Sequence, residues 1–342
     1  MKCSKAYIYL LAPLLVMASC TKDPVISTSQ TSSAESNDLW YPWWRSPIRD
    51  TVITDPTDPG GFTTYGLDYT TGYPNTIEDK MDIAGVKLVR NQLILSIKTR
   101  SNWIDQYIQD GYKVQINLNW SSTAMGPVDY PTDLDEVKER AEEFFQYYAP
   151  YVKSIPVVVV ENEWDNTAFH NGDISDYMAE LAAITEIGHR YGFKIADAGL
   201  SATNLRRWTY STLNGDAADT WADNYFVGPK LDSYPTVIKT VNDYAAAISN
   251  IPIDYLNVHW YNIDQCFKGF KTASQAYLSA CNKQLIITNE FGIKTDSNQL
   301  FYDTVDELRD LASYAICYSN NSSTNGGDAI YLTDDMIEYL GM

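Results

Sequence analysis

From residue 62 onward, strand-like and helix-like segments alternate along the chain, and this alternation limits the fold more than any other feature. Short apolar or period-two runs stand at FTTYGLDY (62–69), VKLVRNQ (86–92), YKVQINLNW (112–120), IPVVVVENE (155–163) and FKIADAGL (193–200). The series continues with IDYLNVHWY (253–261), KQLIITNEF (283–291) and AIYLT (329–333). Helical patterns are predicted between them at about 100–110, 133–152, 173–192, 236–250, 270–281 and 299–320, with a short segment near Thr76. Residues 201–235 read as a long connection of weak periodicity. Asp173 is a plausible N-cap and Gly192 a stop for the helix between them. Eight such units predict an α/β chain with a parallel sheet closed into a (β/α)8 barrel. Only DDMIEYLGM follows the last strand, so the eighth helix is expected to be short or missing.

The N-terminal segment reads differently. Residues 1–20 (MKCSKAYIYLLAPLLVMASC) carry Lys2 and Lys5 ahead of an apolar run too short to span a bilayer, the pattern of an export signal. Ala18 and Ser19 before Cys20 resemble a bacterial lipobox, with Met17 a departure from its usual Leu or Val. The resemblance implies lipidation at Cys20 and a place in the bacterial cell envelope, with plain secretion as the alternative. Residues 21–38, rich in Ser and Thr, are expected to form a disordered tether, and 39–342 a single (β/α)8 domain. Trp40, Trp43 and Trp44 are either a core plug or a sugar-stacking patch.

A formal net charge of -19 argues against nucleic acid and acidic membranes as partners. Membrane contact is expected only through the lipid anchor, and the protein is expected to be a monomer. Beyond Cys3 and Cys20 the cysteines are Cys266, Cys281 and Cys317, an odd number without metal spacing. Cys266 and Cys281 either pair or stay free. Asp165, Asp334 and Asp335 lack the oxygen-rich loop a cation site needs, so no metal and no cofactor is expected.

In a barrel, polar residues at the C-terminal ends of strands form the site. VVVVENEWDN (157–166) runs from four valines into Glu161, Glu163 and Asp165, and LIITNEFG (285–292) ends in Asn289-Glu290. Two strand ends thus each present a glutamate to one pocket. Paired carboxylates are what glycosidic cleavage needs, one to protonate the leaving oxygen and one to attack or to activate water.

This arrangement resembles clan A of the glycoside hydrolases, retaining enzymes on a (β/α)8 barrel. Asn162-Glu163 matches the Asn-Glu pair ending strand four, whose Glu is the general acid/base. Glu290, in Glu290-Phe291-Gly292, matches the strand-seven nucleophile, 127 residues on (290 − 163). Arg90 matches an arginine near the end of strand two. His259 and Tyr261 match the His-x-Tyr of strand six, whose tyrosine bonds the nucleophile. The resemblance covers roughly residues 62–333. It implies a retaining hydrolase acting on a β-linked, neutral poly- or oligosaccharide. Substrate-binding residues would be Arg90, Asn162, His259, Tyr261, Asn119, Trp120 and Trp260.

Three departures stand against it: Trp164 in place of the proline after Asn-Glu, INLNW without histidine on strand three, and IYLTDD without tryptophan at strand eight. They motivate the alternative of a non-catalytic, surface glycan-binding lipoprotein. Period two puts Glu161 on the face of Glu163, one pleat deeper, where it would pair with Arg90, or turn to the helices if the strand is irregular. His170 and His189 read as surface or helix-end residues.

Overall fold

The computed structural model describes residues 64–68, 81–82, 85–97, 102–123, 126–213, 235–261, 269–292, 298–309, 311–318 and 332–342. The export segment, the tether, Trp40, Trp43, Trp44, Cys266 and the segment starting at Thr76 lie outside them. Eight parallel strands are described: β1 (Thr64–Asp68), β2 (Leu88–Ile94), β3 (Lys113–Asn119), β4 (Val158–Val160), β5 (Ile195–Ala196), β6 (Leu256–Tyr261), β7 (Ile286–Gly292) and β8 (Ala312–Cys317). The helices are α1 (Asn102–Gln109), α2 (Leu134–Tyr148), α3 (Ile174–Arg190), α4 (Ala202–Thr212), α5 (Pro235–Ile248), α6 (Phe270–Ala280), α7 (Asn298–Leu308) and α8 (Asp334–Gly341).

Strand order is β5-β4-β3-β2-β1-β8-β7-β6. The two end strands meet through isolated parallel bridges, Ala196 with Tyr255 and Leu200 with Val258. His259 N–H donates to the Leu200 carbonyl at 2.9 Å, and Leu200 N–H to the Asn257 carbonyl at 3.2 Å. The ring therefore closes, and its β5–β6 joint carries the least regular pairing.

Two sequence expectations are corrected. The run 299–320 is not one helix: α7 ends at Leu308, and Ala312–Cys317 is the eighth strand, pairing with both β1 and β7. Burial of Ala312, Ala315, Ile316 and Cys317 between the neighbouring strands outweighs the weak strand preference of Ala and Ser. The AIYLT stretch is then not the eighth strand. Leu332 and Thr333 lead into α8, and 329–331 lie outside the described residues. The weakly periodic connection contains α4, whose Ala202, Leu205, Arg206, Trp208 and Thr209 form one buried face. As expected, the eighth helix is short.

The best-patterned helix is α2. Asp133 caps it, its carboxylate accepting from the N–H groups of Asp135 and Glu136 at 3.1 Å, a contact of about 1 kcal/mol. Val137, Ala141, Phe144, Phe145 and Tyr148 fall on its buried face. On α3, Gly188 permits close approach, since a Cβ there would come within 2.7 Å of Ile195 and 2.9 Å of Phe145. The predicted N-cap Asp173 takes its place without a side-chain bond.

Inside the ring, Val157, Val159, Ala196 and Ile287 form a dry layer. Above it lies a belt of buried amides. Asn289 Nδ2 donates to Asn117 Oδ1 at 2.8 Å, and Asn257 Nδ2 donates to Asn289 Oδ1 at 2.7 Å. Each amide brings both a donor and an acceptor, so three strands are tied at one level without a buried charge. Cys281 and Cys317 are buried. Among the described residues no helix is long and apolar enough to cross a membrane.

Candidate active site

Strand β4 ends at Val160, not at Glu163. Glu161 and Glu163 both take left-handed backbone, at φ 68 and φ 44. Non-glycine residues seldom adopt this region, and doing so costs about 1–3 kcal/mol each. Two bonds hold the turn: Glu161 N–H donates to the Leu118 carbonyl at 3.0 Å, and Glu163 N–H to the Ala198 carbonyl at 2.9 Å. The period-two expectation therefore fails here. Glu161 turns toward α3 and does not reach Arg90, while Glu163 turns into the pocket.

Trp164, in the place of the departed proline, is buried and stacks on Tyr244 of α5 with ring centroids 3.8 Å apart. Asp165 fixes the far side of the loop. Its carboxylate accepts from Ser201 N–H at 3.0 Å, Ser201 Oγ at 2.6 Å and Asn204 Nδ2 at 2.7 Å. Those bonds tie the loop to the N-terminus of α4. Among the described residues no group of three or more His, Cys, Asp or Glu is placed to hold a metal ion.

Arg90, His259 and Tyr261 converge on the two glutamates. Arg90 Nη1 donates to Glu290 Oε1 at 2.5 Å and to the Asn289 carbonyl at 3.2 Å, and its Nη2 donates to Asn162 Oδ1 at 3.3 Å. Tyr261 hydroxyl donates to Glu290 Oε2 at 2.5 Å. His259 Nδ1 lies 2.7 Å from Glu163 Oε1 and 3.5 Å from Glu290 Oε2, so those two oxygens are at most 6.2 Å apart. Asn166 Nδ2 donates to the other Glu163 oxygen at 2.6 Å.

Charge follows from these partners. Burial alone would push Glu290 up, but His259, Arg90 and the Tyr261 hydroxyl hold it down to about 2. Burial would lower His259, and the carboxylates of Glu290 and Glu163 outweigh it and raise it above its ordinary value. Burial and the Glu290 charge push Tyr261 well up, so its hydroxyl stays a donor. Behind His259 stands Gly199, at φ 90, where a Cβ would come within 3.1 Å of Nε2 and 2.8 Å of Asn257 Nδ2.

The remaining sequence candidates divide. Trp260 is corrected: adjacent to His259 and Tyr261, it points the other way and is fully buried. There it packs under the Arg206 guanidinium at 4.5 Å and against Phe270. Asn119 is also fully buried and accepts from Asn117 Nδ2 at 3.2 Å, so it offers no exposed contact. Trp120 is half-buried, and its backbone N–H donates to Glu161. His170 is corrected as well: it is buried, stacked on Tyr130, with Nε2 2.8 Å from the Asn162 carbonyl oxygen. His189, at the end of α3, meets Asp254 at 2.8 Å.

Some groups escaped the sequence reading. Arg206 donates to the Tyr261 carbonyl and so fixes the end of β6. Tyr318, directly after β8, sets its ring perpendicular to that of Tyr261 at 6.3 Å and so puts an aromatic ring at the end of strand eight. A cavity of about 370 Å³, within the usual range for ligand sites, opens between Glu163 and Tyr261 and runs along α4 past Thr203, Asn204 and Arg207. A helix there was detectable from Ala202, Leu205 and Trp208 at helical spacing.

Residues 216–323 match the family model described as glycosyl hydrolase catalytic core, a segment that holds His259, Tyr261 and Glu290. No curated protein matches the chain. Among solved structures the chain is similar to a glucosidase from Croceicoccus marinus, with a TM-score of 0.58, 13% identity, 81% of this chain covered and 66% of that one. It is also similar to a family 39 glycoside hydrolase from Bacteroides cellulosilyticus WH2, with a TM-score of 0.50, 12% identity, and 81% and 61% covered. The chain thus spans less than two thirds of either protein, and at these identities the likeness speaks for the barrel alone. The chain is thus similar to the glycoside hydrolases in a segment matching their catalytic core and in the barrel that carries the two strand-end glutamates.

Proposed function

We propose that the protein is a retaining glycoside hydrolase of a β-linked, neutral poly- or oligosaccharide. The observation that carries this reading is the ionised Glu290, held by Arg90 and Tyr261, across His259 from Glu163. A ceiling of 6.2 Å between two of their oxygens fits the roughly 5–5.5 Å of retaining pairs better than the roughly 6.5–9.5 Å of inverting pairs.

Glu290 attacks the anomeric carbon as Glu163 passes a proton to the leaving oxygen, and the glycosidic bond breaks. Water enters, Glu163 takes its proton, and the glycosyl–Glu290 ester is hydrolysed. His259 bridges the two carboxylates and steadies both. Asn162, oriented by Arg90, hydrogen-bonds the 2-hydroxyl of the sugar, a contact that strengthens in the transition state. Tyr318 and Trp120 offer aromatic surface, and α4 lines the side of the pocket beyond Glu163.

Glu163→Gln is expected to lose turnover on a glycoside with a poor leaving group and to keep much of its kcat/KM with a 2,4-dinitrophenyl leaving group, where the slow step becomes hydrolysis of the ester. Release of reducing ends from β-glucan, mannan, xylan and galactan identifies the sugar. Binding without release on every substrate bound would instead support the non-catalytic glycan-binding reading. The first product, followed by NMR, is expected to keep its anomeric configuration, and inversion would overturn the double displacement. Arg207→Ala removes a charged donor from the cavity wall and is expected to raise KM about tenfold while kcat changes little. The same proposal places the enzyme in the bacterial cell envelope through a lipid on Cys20, which metabolic labelling with a fatty acid tests.

A further inference from the structure

Glu161 and Glu180 are 1% and 0% exposed. Glu161 directly precedes Asn162 and Glu163. Glu180 lies on α3 one turn beyond Tyr177, whose hydroxyl donates to the Val160 carbonyl at 3.2 Å. The two carboxyl groups meet in the layer between β4 and α3. Glu161 Oε1 accepts from Trp120 N–H, while its Oε2 and both oxygens of Glu180 face no donor.

The titratable groups around them are Tyr130 from the loop before α2, His170 from the loop after β4, and Tyr177 from α3. Of these only His170 could be a cation. Its Nε2 is 3.7 Å from Glu161 Oε2 but 2.8 Å from the Asn162 carbonyl, to which it donates, and burial lowers its pKa. A neutral imidazole leaves the carboxyls to satisfy each other. Two carboxylates would both be acceptors and would repel, whereas one proton between them supplies a donor to one and an acceptor to the other.

We infer that Glu161 and Glu180 share a single proton, and that this acid pair is the latch holding Asn162 and Glu163 in their left-handed turn. The positioning half of the inference rests on the glycosidase reading; the shared proton does not. Burial pushes Glu161 up to about 7, and burial with the Glu161 charge pushes Glu180 well above its ordinary range. The folded pair therefore holds its proton more tightly than the unfolded chain, whose ordinary value is 4.5. Its stabilisation is complete below that value and is lost as pH rises through about 7.

The experiment compares melting temperature against pH, from 4.5 to 8, for the wild type and Glu180→Gln. The amide donates to Glu161 without a titrating proton, so the wild type is expected to lose at least about 3 °C more than the variant across this range. Parallel curves would overturn the shared proton. Should Glu180→Gln fail to fold, Glu161→Gln gives the same comparison, because its carbonyl still accepts from Trp120 and its amide donates to Glu180. Failure of both would also overturn the pair, which should tolerate an amide on either side.

Positioning is read separately with Glu180→Leu, which strands Glu161. The expected loss in kcat/KM, which reports the glycosylation step, is at least tenfold greater for a poor leaving group than for 2,4-dinitrophenol, because only the former needs the Glu163 proton. Equal losses on both would overturn the positioning role. If no glycoside is cleaved at all, the melting curves still decide the shared proton.

Discussion

Glu290→Gln should lower kcat/KM by at least roughly 10³-fold, about 4 kcal/mol of transition-state stabilisation. An amide oxygen still accepts from Arg90, so the fold should survive, but it cannot form the ester on which the second half of the reaction depends. Its nitrogen would face the Tyr261 hydroxyl, now 2.5 Å from Glu290 Oε2, and that hydroxyl must then turn to accept. The check is single-turnover kinetics with an activated aryl glycoside, where the burst of aglycone should vanish. In Glu290→Ala, added azide should restore turnover with an azido product of opposite anomeric configuration. Activity near that of the wild type in Glu290→Gln would refute the assignment of the nucleophile.

The second large effect concerns Arg90. Its side chain and that of Glu290 are 7% and 14% exposed, so Arg90→Met leaves a buried carboxylate without its cation. Breaking such a pair costs about 3–5 kcal/mol. Glu290 sits at about 2 in the folded protein against an ordinary 4.5, so its bound state stabilises the fold above pH 4.5 and that contribution fades as pH falls toward 2. The variant should lose stability at neutral pH and show a flatter acid limb, measured as urea midpoint against pH. The acid limb of kcat/KM should shift upward, because Glu290 would protonate sooner.

How far the sequence could be read depended on how each element earns its place. Strands whose alternation or valine content is strong, such as β3 and β6, are legible from residues alone. β8 is not: Ala-Ser-Tyr-Ala-Ile-Cys has a pattern that extends α7, and only its neighbours β1 and β7 make it a strand. The helix α4 leaves only a faint trace, the spacing of Ala202, Leu205 and Trp208, because threonines and a buried Arg206 interrupt its apolar face. At the site, Arg90, His259, Tyr261 and the two glutamates were identifiable because each stands near a strand end in an expected order. Glu161 was not, because left-handed backbone at Glu161 and again at Glu163 breaks the period on which the inference relied. The partners Asn166, Arg206 and Glu180 come from loops and helices, where spacing carries no information about what faces the pocket.

The uneven closure of the ring has a mechanical meaning. Seven of its eight strand contacts are ladders and the eighth, β5 to β6, is a joint of isolated bridges. Mechanically the molecule is one arc of eight laddered strands whose two ends, β5 and β6, meet at that joint. Glu163 follows β4 on one side of it, and Glu290 stands on β7 on the other. Any breathing of that joint changes the gap across which the reaction would pass. Two clamps oppose it. Asp197 grips the Asn257 N–H at 2.6 Å and the Tyr244 hydroxyl at 2.5 Å, right beside the joint. The amide belt from Asn117 through Asn289 to Asn257 braces the ring from within, across β3, β7 and β6. The distance between the two glutamates is thus set by a cross-tie of asparagines as much as by the residues that touch them.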